Sequence, residues 1–421
     1  MKTYLVGGAN RNLLMGKKPA DMDYVIVGAT QADIHNLLAQ GYKQVGKDFP
    51  VFISPDGEEY ALARKERKIA SGHRGFVIEA TPEVTLIEDL ARRDLTINAI
   101  AFDLDTLEVI DPFDGQKDIK NKWLRHVTEA FCEDPLRVLR IARFNACFGK
   151  DWEIHPETKQ LMVNMAYCGE LKTLTPDRVW KEMHKALEGQ NSAVFFMELK
   201  DLIFEEVDAM FGIPQPEIHH PEIDTYVHTI LCLEQADLIK ASPLVKFGVL
   251  CHDFGKPVCY KSQGNLLGHE LAGVPVVEDF CKKYKVPKEY REFAKMVTEF
   301  HTKVHGCLGK DGQGAMNPKK IMKLFEQTSA LSKPERFKEF LVACMCDAKG
   351  RKGFEGILYP QKEFLTLCLE SVINVDTKSI SYDLLQKGKS GLLIGEAIRV
   401  ARINAIRAVS YTFDSNKVKT T

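Results

Sequence analysis

The densest chemistry in the chain lies within its first 27 residues. Asp21 and Asp23 stand two apart at the head of the apolar run Tyr24 to Val27, and residues two apart in a strand point to the same side. Two hard carboxylate ligands on one face suit Mg²⁺. Just upstream, Tyr4-Leu5-Val6 reads as a buried strand that stops at Gly7-Gly8. Lacking a Cβ, paired glycines let the backbone turn sharply and approach a ligand closely. A short helix is expected next, with Arg11 near its start and Gly16 at its end. The open N–H groups of that helix, with the Arg11 guanidinium, suit a polyphosphate. Alone, Asp-x-Asp is an ordinary turn before a strand. Joined to Gly-Gly and Arg11 in one strand–turn–helix–strand unit, it reads as a site for metal-assisted chemistry on a nucleotide.

A second stretch runs Glu133-Asp134-Pro135-Leu136-Arg137, and Arg140 and Arg143 extend it at intervals of three. Asp134 before Pro135 suits a helix N-cap followed by proline at the first turn. As plain structure, Asp134 and Arg137 are a helical ion pair of about 0.2–0.5 kcal/mol. As chemistry, aspartate only accepts hydrogen bonds and arginine only donates them. Side by side they match the Watson–Crick edge of cytosine or adenine, where an exocyclic amine adjoins a ring-nitrogen acceptor. The remaining arginines would meet the triphosphate.

A third constellation comprises His220, His228, His252-Asp253-Phe-Gly-Lys256, His269, His301, His305 and Asp347. It resembles the His…His-Asp…Asp pattern of HD phosphohydrolases, in which helices converge on a divalent metal that activates water for phosphoester hydrolysis. The ligand set read from it is His228, His252, Asp253 and Asp347, with the metal's identity open. His301 and His305, at i,i+4 spacing, are left outside that set.

These residues need elements to hold them. Thr30-Gln-Ala-Asp33 is a capping-box start for a helix ending near Gly41. Residues 42–45, 50–54 and 59–64 read as strands, with Glu59 a candidate third acid near the metal. Residues 64–75 form a basic, glycine-bearing loop suited to gripping a phosphate backbone. Ile87 to Ala101 reads as one helix carrying Arg93, Asp94 and Asn98 near one face. Past the turn Asp111-Pro-Phe-Asp-Gly115 strand signals largely stop, which sets a boundary near residue 120.

Composition narrows the class. The 421 residues are 45% hydrophobic and 27% charged, an ordinary globular balance, and no run approaches the roughly 18 apolar residues of a membrane span. The N-terminus reads as fold rather than signal peptide. Eleven cysteines without a Cys-x-x-Cys pair argue against a disulfide framework and for a cytoplasmic chain with reduced thiols. Lys plus Arg is 57 against 58 for Asp plus Glu, so a nucleic-acid partner must be met by local basic patches.

Taken together, Gly7-Gly8…Arg11, Asp21-x-Asp23, Arg92-Arg93-Asp94-x3-Asn98 and Glu133-Asp134-x-x-Arg137 resemble class II tRNA nucleotidyltransferases. These CCA-adding enzymes are relatives of bacterial poly(A) polymerases, and the likeness, from residue 1 to about 405, is nearest the long bacterial forms with an HD domain. The resemblance implies a DNA polymerase β-like α/β head with a mixed sheet, followed by all-α neck, HD and tail regions. The expected divisions are 1–125, 126–218, 219–350 and 351–421, with a frayed tail at 415–421. It implies Mg²⁺ on Asp21 and Asp23, nucleotide contacts from Gly8, Arg11, Arg93, Arg140 and Arg143, and base selection by Asp134 and Arg137. The implied partners are tRNA, CTP and ATP, without a membrane, and monomer and dimer both stay open. One departure stands out: the family usually reads Gly-Gly-x-Val-Arg-Asp, and this chain has Asn10-Arg11-Asn12.

Two alternatives compete. A poly(A) polymerase would tend to carry two apolar residues before Gly-basic-basic-Phe, whereas this chain has Gln44-Val45-Gly46-Lys47-Asp48-Phe49. A chain that is mainly an HD phosphohydrolase would have no need to keep both Asp-x-Asp and Glu-Asp-x-x-Arg intact.

Overall fold

The computed structural model describes residues 1–19, 21–46, 51–68, 76–309 and 315–413. Expectations for Lys47 to Phe49, for residues 69–75 of the basic loop and for the tail at 415–421 fall outside the described residues. The chain divides into two compact units, Met1–Ala186 with Glu198–Ile203, and Leu187–Met197 with Phe204–Thr421.

In the first unit the short apolar runs become β1 (Lys2–Val6), β2 (Asp23–Val27), β3 (Lys43–Val45), β4 (Val51–Ile53) and β5 (Glu59–Leu62). A separate hairpin, β6 (Lys65–Lys68) and β7 (Phe76–Glu79), precedes β8 (Ala101–Asp103) and β9 (Val109–Ile110). Seven strands form one sheet in the order β3-β4-β5-β2-β1-β8-β9. β2 and β5 run parallel and the other neighbours antiparallel, so the sheet is mixed. Both faces are covered. Val25 joins a cluster with Tyr4, Val6, Leu90 and Ala99, and its neighbour Ile26 joins Leu37, Phe52 and Leu62 on the other side, as period-two alternation requires. Phe52 is fully buried, and its truncation to Ala is expected to cost about 3–5 kcal/mol.

Helices α1 (Gly8–Leu14) and α2 (Gln31–Ala39) follow β1 and β2. The Thr30 capping box forms as expected, with Thr30 Oγ1 accepting from Asp33 N and the Asp33 carboxylate accepting from Thr30 N at 2.8 Å. The expected helix over Ile87 to Ala101 is instead α3 (Leu86–Ala91), a turn, and one turn of 3-10 helix at Thr96–Asn98. Tertiary pairing interrupts it: Leu95 bridges to His126, and Thr96 N donates to Arg125 O at 2.9 Å. The buried Asp89 carboxylate also draws Arg92 and Arg93 back, at 2.6 and 3.1 Å. α4 (Gly115–Asn121), α5 (Leu136–Phe148), α6 (Pro156–Tyr167) and α7 (Pro176–Glu188) follow. β10 (Trp123–Leu124) pairs in parallel with β11 (Glu153–Ile154).

Beyond β11 the regular elements among the described residues are helices, apart from isolated bridges. The helices are α8 (Ser192–Glu198), α9 (Glu205–Asp208), α10 (Thr225–Leu238), α11 (Pro243–Cys251), α12 (Lys256–Gln263) and α13 (His269–Lys283). They continue as α14 (Lys288–His305), α15 (Pro318–Gln327), α16 (Pro334–Lys349), α17 (Pro360–Ile373), α18 (Thr377–Gln386) and α19 (Gly391–Thr412). α11 is buried from Leu244 to Cys251, the pattern of a helix packed on all sides. Its one charge, Lys246, is matched by Asp237 at 2.8 Å and Gly189 O at 2.6 Å. Among the described residues no helix is long and apolar enough to cross a membrane.

Candidate active sites

The first site forms where β1 ends. Val6 faces Asp23 in register, so the Gly7 turn lies beside the start of β2. Gly7 has φ +73°, and a Cβ there would sit 3.2 Å from an Arg93 guanidinium nitrogen and 3.8 Å from Asp23 Oδ2. Glycine is therefore needed for both the turn and the approach. Asp21 and Asp23 are exposed on the same side of the fold. Desolvation raises the Asp23 carboxyl above its usual range, Arg93 opposes the rise, and Asp21 adds to it. Two adjacent carboxylates with this balance fit a cation that would relieve both.

Arg11 leaves α1 toward the same place. Its guanidinium donates to Asn98 Oδ1 at 2.6 Å and to Asn12 Oδ1 at 3.0 and 3.2 Å. Asn98 donates to Asp94 at 2.9 Å, and Asp94 receives Arg140 at 2.7 Å. Asn12, where the family usually has Asp, thus still accepts from Arg11 but adds no charge. Burial, partly offset by Asp94, lowers Arg11 to about 10. The preceding Asn10 is buried and donates to Leu5 O and Ile100 O at 2.7 and 2.9 Å, tying the end of β1 to the start of β8.

A cavity of about 660 Å³ gathers these groups. Gly8, Arg11, Asp21, Asp23, Arg93, Asp134, Arg137, Arg140 and Arg143 all line it, so every residue singled out for the first site except Glu59 meets in one place. Glu59 sits in register with Asp23 on β5 but does not line the cavity. The Arg143 guanidinium lies 4.1 Å from the Phe144 ring centroid and donates to Glu182 at 2.6 Å.

Asp134 and Arg137 do not pair with each other as a helical ion pair would. Asp134 Oδ1 accepts from Leu136 N at 3.1 Å, and Oδ2 accepts from Arg178 at 2.7 Å. The cap falls at Pro135 rather than Asp134, although the Asp134 side chain still caps a backbone N–H. Arg137 is buried and donates to Ala130 O and Arg92 O. Arg178 and Glu182, on α7, were not visible as site residues in the sequence. Their i,i+4 spacing looks like any charged helix face, and only packing carries Arg178 to the cavity and Glu182 to Arg143.

The second site joins α10, α11, α13, α14 and α16. His228, His252, Asp253 and Asp347 converge, with His228 Nε2 3.0 Å from Asp347 Oδ1 and His252 Nε2 3.1 Å from Asp253 Oδ2. The outer nitrogens of both rings are committed. His228 Nδ1 donates to Glu222 at 2.9 Å and His252 Nδ1 donates to Val249 O at 2.6 Å. Carboxylates and carbonyls only accept, so each Nδ1 carries the hydrogen and each Nε2 is turned inward. This is how histidine ligands are oriented around metals.

The electrostatics suit a cation. Burial would lower His252, but Asp253 and Asp347 outweigh it and bring it to about 9. Both aspartates lie well below the usual range, as histidines, joined by Lys256 at Asp253, overcome burial. His252 Nε2 is among the buried polar atoms that lack a hydrogen-bond partner. Cys232 Sγ is 3.4 Å from His228 Nε2, close enough to join His228, His252 and Asp347 around a metal, and burial pushes its thiol well above the usual range. Glu222, missed as a site residue in the sequence, is first raised by burial and then brought to about 2, chiefly by its His228 hydrogen bond. His305 donates to Asp347 Oδ2 at 2.6 Å and bonds the Tyr359 hydroxyl at 2.8 Å. A cavity of about 920 Å³ opens beside the cluster, lined among others by Lys256, His269, His301, His305 and Asp347.

Mixed sheet, glycine turn, paired carboxylates and arginine-lined cavity define a nucleotidyltransferase head followed by helices. Residues 3–125 match the family model described as the poly A polymerase head domain, and residues 151–209 match the one described as a probable RNA- and SrmB-binding site of polymerase A. The Multifunctional CCA protein of Shewanella frigidimarina is 45% identical over 425 residues, covering 99% of each chain, and the chain belongs to this family of enzymes. Two solved structures share the fold. The Thermotoga maritima CCA-adding enzyme complexed with tRNA has a TM-score of 0.65 at 19% identity, over 98% of this chain and 88% of that one. A CCA-adding enzyme with CTP has a TM-score of 0.62 at 18% identity, over 99% and 89%.

Proposed function

We propose that the chain adds CCA to the 3′ end of tRNA from CTP and ATP, without a nucleic-acid template. The observation that carries this is the single cavity holding Asp21, Asp23, the Gly7-Gly8 turn and the arginines of α5. In this reading Gly8, Arg11, Arg93, Arg140 and Arg143 hold the triphosphate, and Asp134 and Arg137 meet the base edge. The tRNA 3′ oxygen bonds to the α-phosphorus, the bond from that phosphorus to the bridging oxygen breaks, and pyrophosphate leaves. Mg²⁺ ions held by Asp21 and Asp23 would supply the charge that lowers the pKa of the 3′ hydroxyl and neutralises the leaving group. Residues 1–125 act as the head, 126–218 as the nucleotide-selecting neck, 219–350 as the HD domain and 351–421 as the tail, in the cytoplasm.

The second cluster is read as a divalent-metal phosphohydrolase site acting on phosphomonoesters or 2′,3′-cyclic phosphates. His228, His252, Asp253 and Asp347 would hold the metal, supported by the approach of His228 Nε2 to Asp347 and of His252 Nε2 to Asp253. tRNA lacking its CCA end, incubated with each labelled NTP in turn, tests the first reading. Incorporation of C and then A is expected, and A-only tailing would instead mark a poly(A) polymerase.

A further inference from the structure

Five arginines lining the head cavity each hold a carboxylate. Arg92 and Arg93 share Asp89, Arg140 meets Asp94, Arg143 meets Glu182 and Arg178 meets Asp134, all at 2.6–3.1 Å. Arg11 lines the same cavity and is held differently. Its guanidinium gives two N–H groups to Asn12 Oδ1 and one to Asn98 Oδ1. It also packs over the Phe144 and Phe148 rings, 5.3 and 5.0 Å from their centroids. Amides and rings carry no net charge. Asp94, the acid next along these contacts, is committed elsewhere: Oδ1 accepts from Leu95 N and Asn98, and Oδ2 accepts from Arg140. Two of the five guanidinium N–H groups of Arg11 remain.

We propose that Asn12 keeps Arg11 without a carboxylate partner, so that the triphosphate of the incoming nucleotide balances its charge. Asn12 is then a positioning residue that sets nucleotide affinity. Its amide oxygen aims the guanidinium as a carboxylate would, but adds no charge. The effect is particular to this chain, since the family usually has Asp here, and the proposal rests on the reading of the first cavity as a nucleotide site. Two further observations support it. Burial lowers Arg11 to about 10 although Asp94 opposes the fall, whereas Asp94 raises Arg140. A partly buried cation among neutral partners is costly until a counter-anion arrives. A Cβ on Gly8 would also sit 3.4 Å from Arg11 Nη2, so the guanidinium lies against the glycine turn that lets a ligand approach the backbone.

Asn12→Asp keeps an acceptor for Arg11 and adds the charge, so stability and affinity should move in opposite directions. The nucleotide-free full chain should melt at a higher temperature. KM for CTP and ATP should rise about tenfold, and kcat should change far less. Inorganic tripolyphosphate, titrated calorimetrically in EDTA so that no metal occupies the helical cluster, should also bind about tenfold more weakly. Asn12→Ala removes the acceptor without adding charge and should instead lower the melting temperature. Unchanged KM and tripolyphosphate affinity in Asn12→Asp, or no tripolyphosphate binding by the parent, would overturn the proposal. Failure of the CCA-addition reading would show separately, as a parent that binds tripolyphosphate but extends no tRNA.

Discussion

Asp134 meets Arg178 at 2.7 Å, from a different helix, rather than Arg137 three residues along its own. Arg178 thus sets the direction of the Asp134 carboxylate, whose oxygens keep further lone pairs for a second donor. Asp134→Ala should bring UTP and GTP incorporation much closer to CTP, because one base contact discriminates by about 1–3 kcal/mol. Arg178→Ala should weaken discrimination less, since it acts through Asp134. Single-nucleotide incorporation with all four NTPs checks both, and an unchanged preference in Asp134→Ala would remove base reading from this residue.

Asp21→Ala or Asp23→Ala should reduce incorporation by orders of magnitude with the fold intact. Both residues are exposed, so little packing is lost. Circular dichroism alongside incorporation kinetics separates the two effects, and near-normal rates in either variant would refute the metal assignment.

Replacing His252 and Asp253 by Ala should remove metal-dependent hydrolysis of bis(p-nitrophenyl) phosphate while sparing nucleotide incorporation. The cluster shares no lining residue with the head cavity. Loss of both activities in a folded variant would contradict two independent sites.

His305→Ala should weaken hydrolysis about 10–100-fold, the usual effect of removing a ligand's outer partner. His305 holds Asp347 Oδ2, and Tyr359 holds His305. Weaker metal binding in a titration, with unchanged thermal stability, would mark orientation as the cause.

Asp94 supplies a pH signature. Burial opposes its ionisation, but Arg140 and Asn98 lower it to about 2, from an ordinary 3.8. A depressed carboxyl stabilises the fold above the unfolded value and loses that contribution as pH falls through the folded one. The contribution is on the order of 2 kcal/mol. Wild type and Asp94→Asn should therefore differ in urea midpoint above pH 4 and converge toward pH 2. A pH-independent difference would assign the effect to packing.

The sequence by itself determined the chemistry that is local. Gly7-Gly8, Asp21-x-Asp23 and the Thr30 capping box each depend on neighbours a few residues away, where backbone geometry leaves few options. The apolar alternation of Tyr24 to Val27 likewise sets which side of the sheet each residue takes. Tertiary structure decided what depends on distant segments. Residues 87–101 could have stayed helical, but backbone pairing of Leu95 and Thr96 with residues 125–126 was the stronger competitor. Arg178 and Glu222 carry no spacing that separates them from surface charges, and only folding brings them to Asp134 and His228. The two carboxylate oxygens of Asp253 are equivalent in sequence, and only the helices packed around them make one face His252 and the other face His269.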